Sequence, residues 1–283
     1  MRTPFRRRFH HGLRPLGLRP LALALLLASL GACQLVDVAP ATPQRPTFSA
    51  DTNTTAHQTF ELEAGGNYDP GDSIDTPITM KYGAGVATET FIGWSPYIKL
   101  DRSGMTDERG SGDVVLGTRH RFHDPTEDLP FSSAVQFTTK LPTASENKGI
   151  GSGEYDFTGA GIISGSLGSW GWTTYYELGM LGQEDGSGHD TRHSLALSAG
   201  TPLTDQLGAF GEIAAQRVRA QSENPVFTTF GMTYSDTPGA IWDAGMVVGL
   251  NDDAVDAQFV VGLTRNLGRL FSRDRSDQIA DGR

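Results

Sequence analysis

From residue 59 to residue 267 the chain repeats one pattern. Segments of roughly ten residues alternate apolar and polar side chains and are parted by clusters of Gly, Pro, Asp and Asn. Period two sends successive side chains to opposite faces of an extended strand, so each segment offers one face to lipid and one to water. In 113–122, Val114, Leu116, Thr118, His120 and Phe122 share a face, and Val115, Gly117, Arg119 and Arg121 share the other. In 131–141, Phe131, Val135, Phe137 and Leu141 alternate with Ser132, Ala134, Gln136, Thr138 and Lys140. In 170–181, Trp170, Trp172, Tyr176, Leu178 and Met180 alternate with Gly171, Thr173, Tyr175, Glu177 and Gly179.

Nine further segments keep the spacing: 59–64, 77–83, 89–100, 154–165, 191–200, 207–219, 226–235, 241–250 and 256–267. The pattern predicts an all-β fold, a transmembrane antiparallel up-and-down β-barrel of about 12 strands, the even number that single-chain bacterial barrels have. With 35 glycines and 37% hydrophobic residues the chain is too polar for a helical membrane protein. No apolar run after the N-terminal region could span a bilayer as a helix, so insertion must be as a closed barrel, which satisfies every backbone hydrogen bond in lipid. A soluble β-sandwich differs in where its aromatics sit. Here Phe131, Trp170, Trp172, Tyr234 and Trp242 fall toward strand ends, as an interfacial girdle requires.

The N-terminus reads as an export signal. Arg2, Arg6, Arg7, Arg8, Arg14 and Arg19 precede an acid-free apolar run over 21–30, which is too short for a membrane helix. Leu30-Gly31-Ala32-Cys33 resembles a lipobox, and Cys33 is the chain's one cysteine, which excludes an intramolecular disulfide and makes lipidation its most economical use. The alternative is a cysteine near an ordinary cleavage site, with Ser29 and Gly31 as the small residues. Acylated Cys33 is the expected mature N-terminus; mass spectrometry tests this, and an unmodified terminus downstream of Cys33 would refute it. The expected organisation is a signal peptide over 1–32, a flexible periplasmic tether over 33–57, the barrel over 58–271 and a hydrophilic tail over 272–283. The tether follows from Pro40, Pro43 and Pro46 among Thr, Ala, Asn and Asp without a period. Loss of the signal removes six arginines and no acid, moving the formal charge from −10 to −16 and disfavouring nucleic acid as a partner.

An even strand count puts both chain ends on one side, and the tether makes that side periplasmic. The turns 165–169, 201–206 and 236–240 are then short periplasmic ones, while 101–112, 142–153, 183–190 and 251–256 are longer or more acidic extracellular connections. None of these is long enough to fold inward as a plug. Parity places Lys99, Arg119, Arg121 and Lys140 in the lumen on the third to fifth strands, and Asp156, Glu177 and Glu212 on the sixth, seventh and ninth. A basic wall is thus expected to face an acidic one, a transverse field that would orient polar solutes.

Catalytic readings fare worse. His120 and His193 fall on the outward parity, and Thr191-Arg192-His193-Ser194 lacks the nucleophile, base and orienting group of a lipid hydrolase. In 119–124, alternation separates His120 from His123, so no metal site is expected. Ser145-Glu146-Asn147-Lys148 matches Ser-x-x-Lys in a loop without companion motifs, and the glycine clusters 83–85 and 149–153 open no helix. No cofactor is expected.

The segments 110–122 (GSGDVVLGTRHRF), 134–144 (AVQFTTKLPTA), 151–180 and 259–263 (FVVGL) carry a resemblance over most of 60–267. In them the chain resembles the outer-membrane transporter family of the MetA pathway of phenol degradation. The lipobox and the 272–283 extension depart from that family's pattern. The resemblance implies a passive channel in the cell outer membrane for small hydrophobic or aromatic molecules, with outer-membrane lipids and the barrel-assembly machinery as partners. A non-conducting structural or adhesion barrel is the alternative.

Overall fold

The computed structural model describes residues 38–101, 107–183, 188–219 and 224–269. The signal peptide, Cys33 and the 272–283 tail lie outside the described residues.

Twelve strands form a closed antiparallel ring. In chain order with their offshoots the strands are β1 (Phe60–Asp69), β2 (Ser73–Asp75), β3 (Ile78–Gly85), β4 (Thr88–Trp94), β5 (Ile98–Leu100) and β6 (Glu108–Gly110). There follow β7 (Val114–His123), β8 (Phe131–Leu141), β9 (Asp156–Leu167), β10 (Trp170–Gly182) and β11 (His189–Pro202). The last are β12 (Leu207–Val218), β13 (Val226–Thr237), β14 (Ala240–Gly249) and β15 (Ala257–Gly268). Each of the twelve predicted segments coincides with a strand of the ring. The ring closes where β15 pairs with β1, from Phe60 opposite Gly268 to Tyr68 opposite Phe259, leaving no free edge along that seam.

Alternation sorts the two faces. Leu116, Phe137, Leu178, Leu197, Ile213, Phe230 and Val261 point outward and are exposed, whereas Ala134, Ala160, Ala196, Ala214 and Tyr175 point inward and are buried. A soluble protein does not expose a continuous apolar belt of this extent, and the belt is the surface that lipid covers. Short turns cluster at the end holding the start of β1 and the end of β15. Gly168, at φ +61°, and Pro238-Gly239 make two of them, and the longer connections lie at the other end.

The third predicted segment is divided. β4 stops at Trp94, because Pro96 has no N–H to give to a ladder. Residues 98–100 leave the wall as β5, which pairs with β2 and β6. The sheet therefore forks at β1: Phe60–Ala64 pairs with β3, and Asn67–Asp69 pairs with β2.

The larger departure concerns residues 38–57. Read as an external flexible tether, they lie inside the barrel. Among the described residues it is the chain's own N-terminal approach that fills the lumen.

Candidate functional site

A polypeptide inside a lipid-encircled barrel must find partners for its backbone N–H groups on the barrel wall. The wall supplies them as carboxylates, the strongest acceptors available. The segment enters at the short-turn end, where the Ala41 N–H donates to the Pro238 carbonyl at 2.8 Å. Thr42 N–H donates to Glu61 at 2.9 Å and Gln44 N–H to Glu63 at 2.8 Å. At the turn of the arch, Phe48 N–H and Ser49 N–H both donate to Glu212, at 2.7 and 2.8 Å, and the Ser49 hydroxyl donates to the same carboxylate. Returning, Thr52 N–H donates to the Ser164 hydroxyl at 3.2 Å and Thr55 N–H to Glu89 at 2.7 Å. Gln58 N–H reaches the Gly83 carbonyl at 2.8 Å, just before β1 begins.

Side chains reinforce this arch. Phe48 packs edge-on against Tyr175 and Phe227, with ring centroids 5.9 and 5.8 Å away. The Arg45 Nη2 donates to the Val261 carbonyl at 3.2 Å, and its Nε stands 3.7 Å from the Asp243 carboxylate. That guanidinium lies over Gly65 and Gly262, which pair across β1 and β15. A Cβ on Gly65 would stand 2.3 Å from Nη2 and one on Gly262 2.5 Å from Nε, so glycine makes room for the arginine. Gly83 serves the returning backbone likewise, since a Cβ there would meet the Ala56 carbonyl oxygen at 2.1 Å.

The predicted lumen residues fall as follows. Arg119 is buried, donates from Nε and Nη2 to Gln136 at 3.0 and 2.7 Å, and lies 3.3 Å from Glu89. Its Nη1 also donates to the Asn53 carbonyl at 2.9 Å. Glu212 holds the crown of the arch. Glu177 accepts from the Tyr175 hydroxyl and from Arg192, both at 2.8 Å. Lys140 pairs with Asp156 at 2.8 Å near the long connections, and Arg121 pairs with Asp124 at 2.6 Å near a short turn. Lys99 is not on the ring. It sits on β5, pairs with Asp101 and with Asp107 at 3.3 Å, and hydrogen bonding to Asp101 holds its ammonium above the ordinary lysine range.

The expected division into a basic and an acidic wall does not hold. Arg119 has Glu89 beside it, Lys140 has Asp156, and Glu177 has Arg192. Buried charge is tolerable when each group meets its opposite at contact distance, and that local requirement overrides any sector-wide sorting. Lys81 is the clearest case: it is 2% exposed and lies 2.5 Å from Glu61 and 2.8 Å from Glu63, while also donating to the Thr42 carbonyl at 2.6 Å. The sequence reading missed Lys81, Glu61, Glu63, Glu89 and Asp243. The signal was present: Glu61 and Glu63 alternate with Phe60 and Leu62, and Glu89 shares the parity of Lys99.

Two of the cavities that border the arch lie toward opposite ends of the barrel. One of about 300 Å³ lies toward the short turns, among Asp51, Gly171, Trp172, Ser198 and Phe210. The other, of about 540 Å³, lies toward the long connections, among Phe48, Asn67, Gln216, Phe227 and Gln258. Both are bordered by Arg45, Pro46 and Thr47, so this stretch stands between them.

Solved barrels share this ring at very low sequence identity. The COG4313 outer membrane channel from Pseudomonas putida F1 superposes with a TM-score of 0.59 at 10% identity, over 78% of this chain and 100% of that one. The fold is that of outer-membrane channels. The KdgM porin in complex with disordered oligogalacturonate gives a TM-score of 0.52 at 5% identity, over 72% of this chain and 98% of the porin. No protein-family profile matches the sequence, and no curated protein matches it.

Proposed function

We infer that the protein is an outer-membrane channel for passive diffusion of small organic molecules, and that residues 41–56 narrow its lumen to a constriction. The observation that carries this is the pair of cavities, about 300 and about 540 Å³, that share Arg45, Pro46 and Thr47 of the N-terminal segment as a common border. The wall beside them mixes apolar rings with a few polar groups, as small-molecule sites do. Phe48 and Phe227 beside Gln216 and Gln258 suit a small aromatic or amphipathic solute better than a highly charged one. This agrees with the cargo implied by the resemblance to the MetA-pathway transporters. Outer-membrane lipids would cover the apolar belt, and the barrel-assembly machinery would insert the chain. Catalysis has little support, since His120 is bonded to Thr88 and His193 to Tyr176 rather than to a serine.

A second reading has an observation of its own: the arch fills the lumen at its middle, which favours a non-conducting structural barrel. Single-channel recording in a planar bilayer separates the two. The channel reading expects small, frequently interrupted openings that small aromatic solutes reduce. A silent barrel, both intact and with residues 42–55 removed, would favour the structural reading.

A further inference from the structure

The lipid-facing surface carries a polar cluster that the channel does not use. Along β10, β11 and β12 the outward side chains are largely apolar, with Leu178, Leu195, Leu197 and Ile213 all exposed. Arg217 stands on this face next to the end of β12 that leads into a long connection, with His193 beside it on β11 and Tyr176 nearer the middle of β10. The Tyr176 hydroxyl lies 2.7 Å from His193 Nδ1. Arg217 stands directly opposite His193 across the β11–β12 ladder. The three share a hollow of about 570 Å³ whose other walls include Leu195 and Ala215.

Arg217 is exposed, and no ion pair is formed by it among the described residues. A guanidinium at the margin of a lipid-facing belt is costly unless an anion neutralises it. At the boundary of the belt those anions are the phosphates of lipid headgroups. The geometry is suited to one. Arginine offers two parallel N–H groups to a phosphate. In the tautomer whose Nδ1 accepts from the Tyr176 hydroxyl, His193 carries its proton on Nε2, from which it can donate. Leu195 and Ala215 below offer apolar contact to an acyl chain.

We propose that Arg217, His193 and Tyr176 form a binding site for the anionic phosphate headgroup of a lipid in the leaflet facing the long connections. The probes are diphosphorylated lipid A, its dephosphorylated form and inorganic phosphate, each added to the detergent-solubilised full-length protein and followed by native mass spectrometry. The wild-type protein should retain diphosphorylated lipid A severalfold better than the dephosphorylated form. Arg217→Ala and His193→Ala should each lower that retention severalfold, Arg217→Lys should lower it less, and Ile213→Ala, outward on the same strand, should leave it unchanged. Heat-modifiable gel migration confirms that every variant is folded. Equal retention by Arg217→Ala, or equal retention of the dephosphorylated lipid, would overturn the proposal. Displacement of the lipid by inorganic phosphate at comparable concentration would overturn it too, because the site would then recognise a free anion.

Discussion

Removing residues 42–55 is expected to raise single-channel conductance severalfold and to shift the reversal potential toward cations. The segment occupies the lumen at the level of Glu212, Tyr175 and Phe227, and its residues Arg45–Thr47 border a cavity on either side. A barrel of about twelve strands is wide enough to conduct once cleared, but not so wide that an arch of chain could be ignored. Ion preference follows from what the arch covers. Its withdrawal removes one base and one acid, Arg45 and Asp51, and uncovers Glu63, Glu89, Glu212 and Asp243 on the wall. Fixed inward carboxylates then dominate the constriction, and they favour cations. Glu212→Gln, which weakens only the crown of the arch, should give a smaller rise with more frequent openings. Planar-bilayer recording of the three proteins, matched for folded fraction, checks this. Equal conductance in all three would mean that the current bypasses the arch.

Lys81→Met is expected to cost the largest stability of any single change in the lumen. Its ammonium is the one base that Glu61 and Glu63, 0% and 4% exposed, share in these contacts, and it also holds the Thr42 carbonyl of the arch. Methionine fills the space but leaves two buried carboxylates without that shared base. Breaking a buried pair in this way costs about 3–5 kcal/mol. The midpoint of urea unfolding in lipid vesicles should fall accordingly. Adding Glu61→Gln and Glu63→Gln to Lys81→Met should recover much of the loss, because the stranded charges are then removed. A midpoint unmoved by Lys81→Met would mean that the three groups do not share a dry site.

The ring itself was legible in the sequence because lipid and water impose their demands residue by residue. Leu178 and Met180 must face out and Glu177 must face in, so alternation carries both strand and facing. The fork at β5 was harder: residues 98–100 keep the parity of the strand before them, and the break at Pro96 reads equally well as an edge position. The arch was hidden for a different reason. Pro43, Pro46 and the threonines around them have no period, and a segment that pairs with wall side chains instead of a neighbouring strand needs none. Its only trace lies elsewhere in the chain, in the surplus of inward glutamates at 61, 63, 89 and 212 and in the small residues Gly65, Gly83 and Gly262 that give it room. Sorting of charge by sector failed because partners are chosen at contact range: Arg119 answers to Glu89 on the adjacent strand, not to Glu177.

The position of the N-terminal segment inside the barrel is tested most directly by a cross-link. The Ser49 and Ser198 hydroxyl oxygens are 3.4 Å apart, one on the arch and one on β11. A chain carrying Ser49→Cys and Ser198→Cys, with Cys33 kept so that export processing is unchanged, should form a disulfide between the two positions in nearly every folded, membrane-inserted molecule. Reduction should reverse the linkage without unfolding the barrel. If the two introduced thiols stay free under oxidation, and the one at position 49 reacts readily with a bulky thiol reagent confined to the periplasmic side, the segment is an external tether and the lumen is not closed by it.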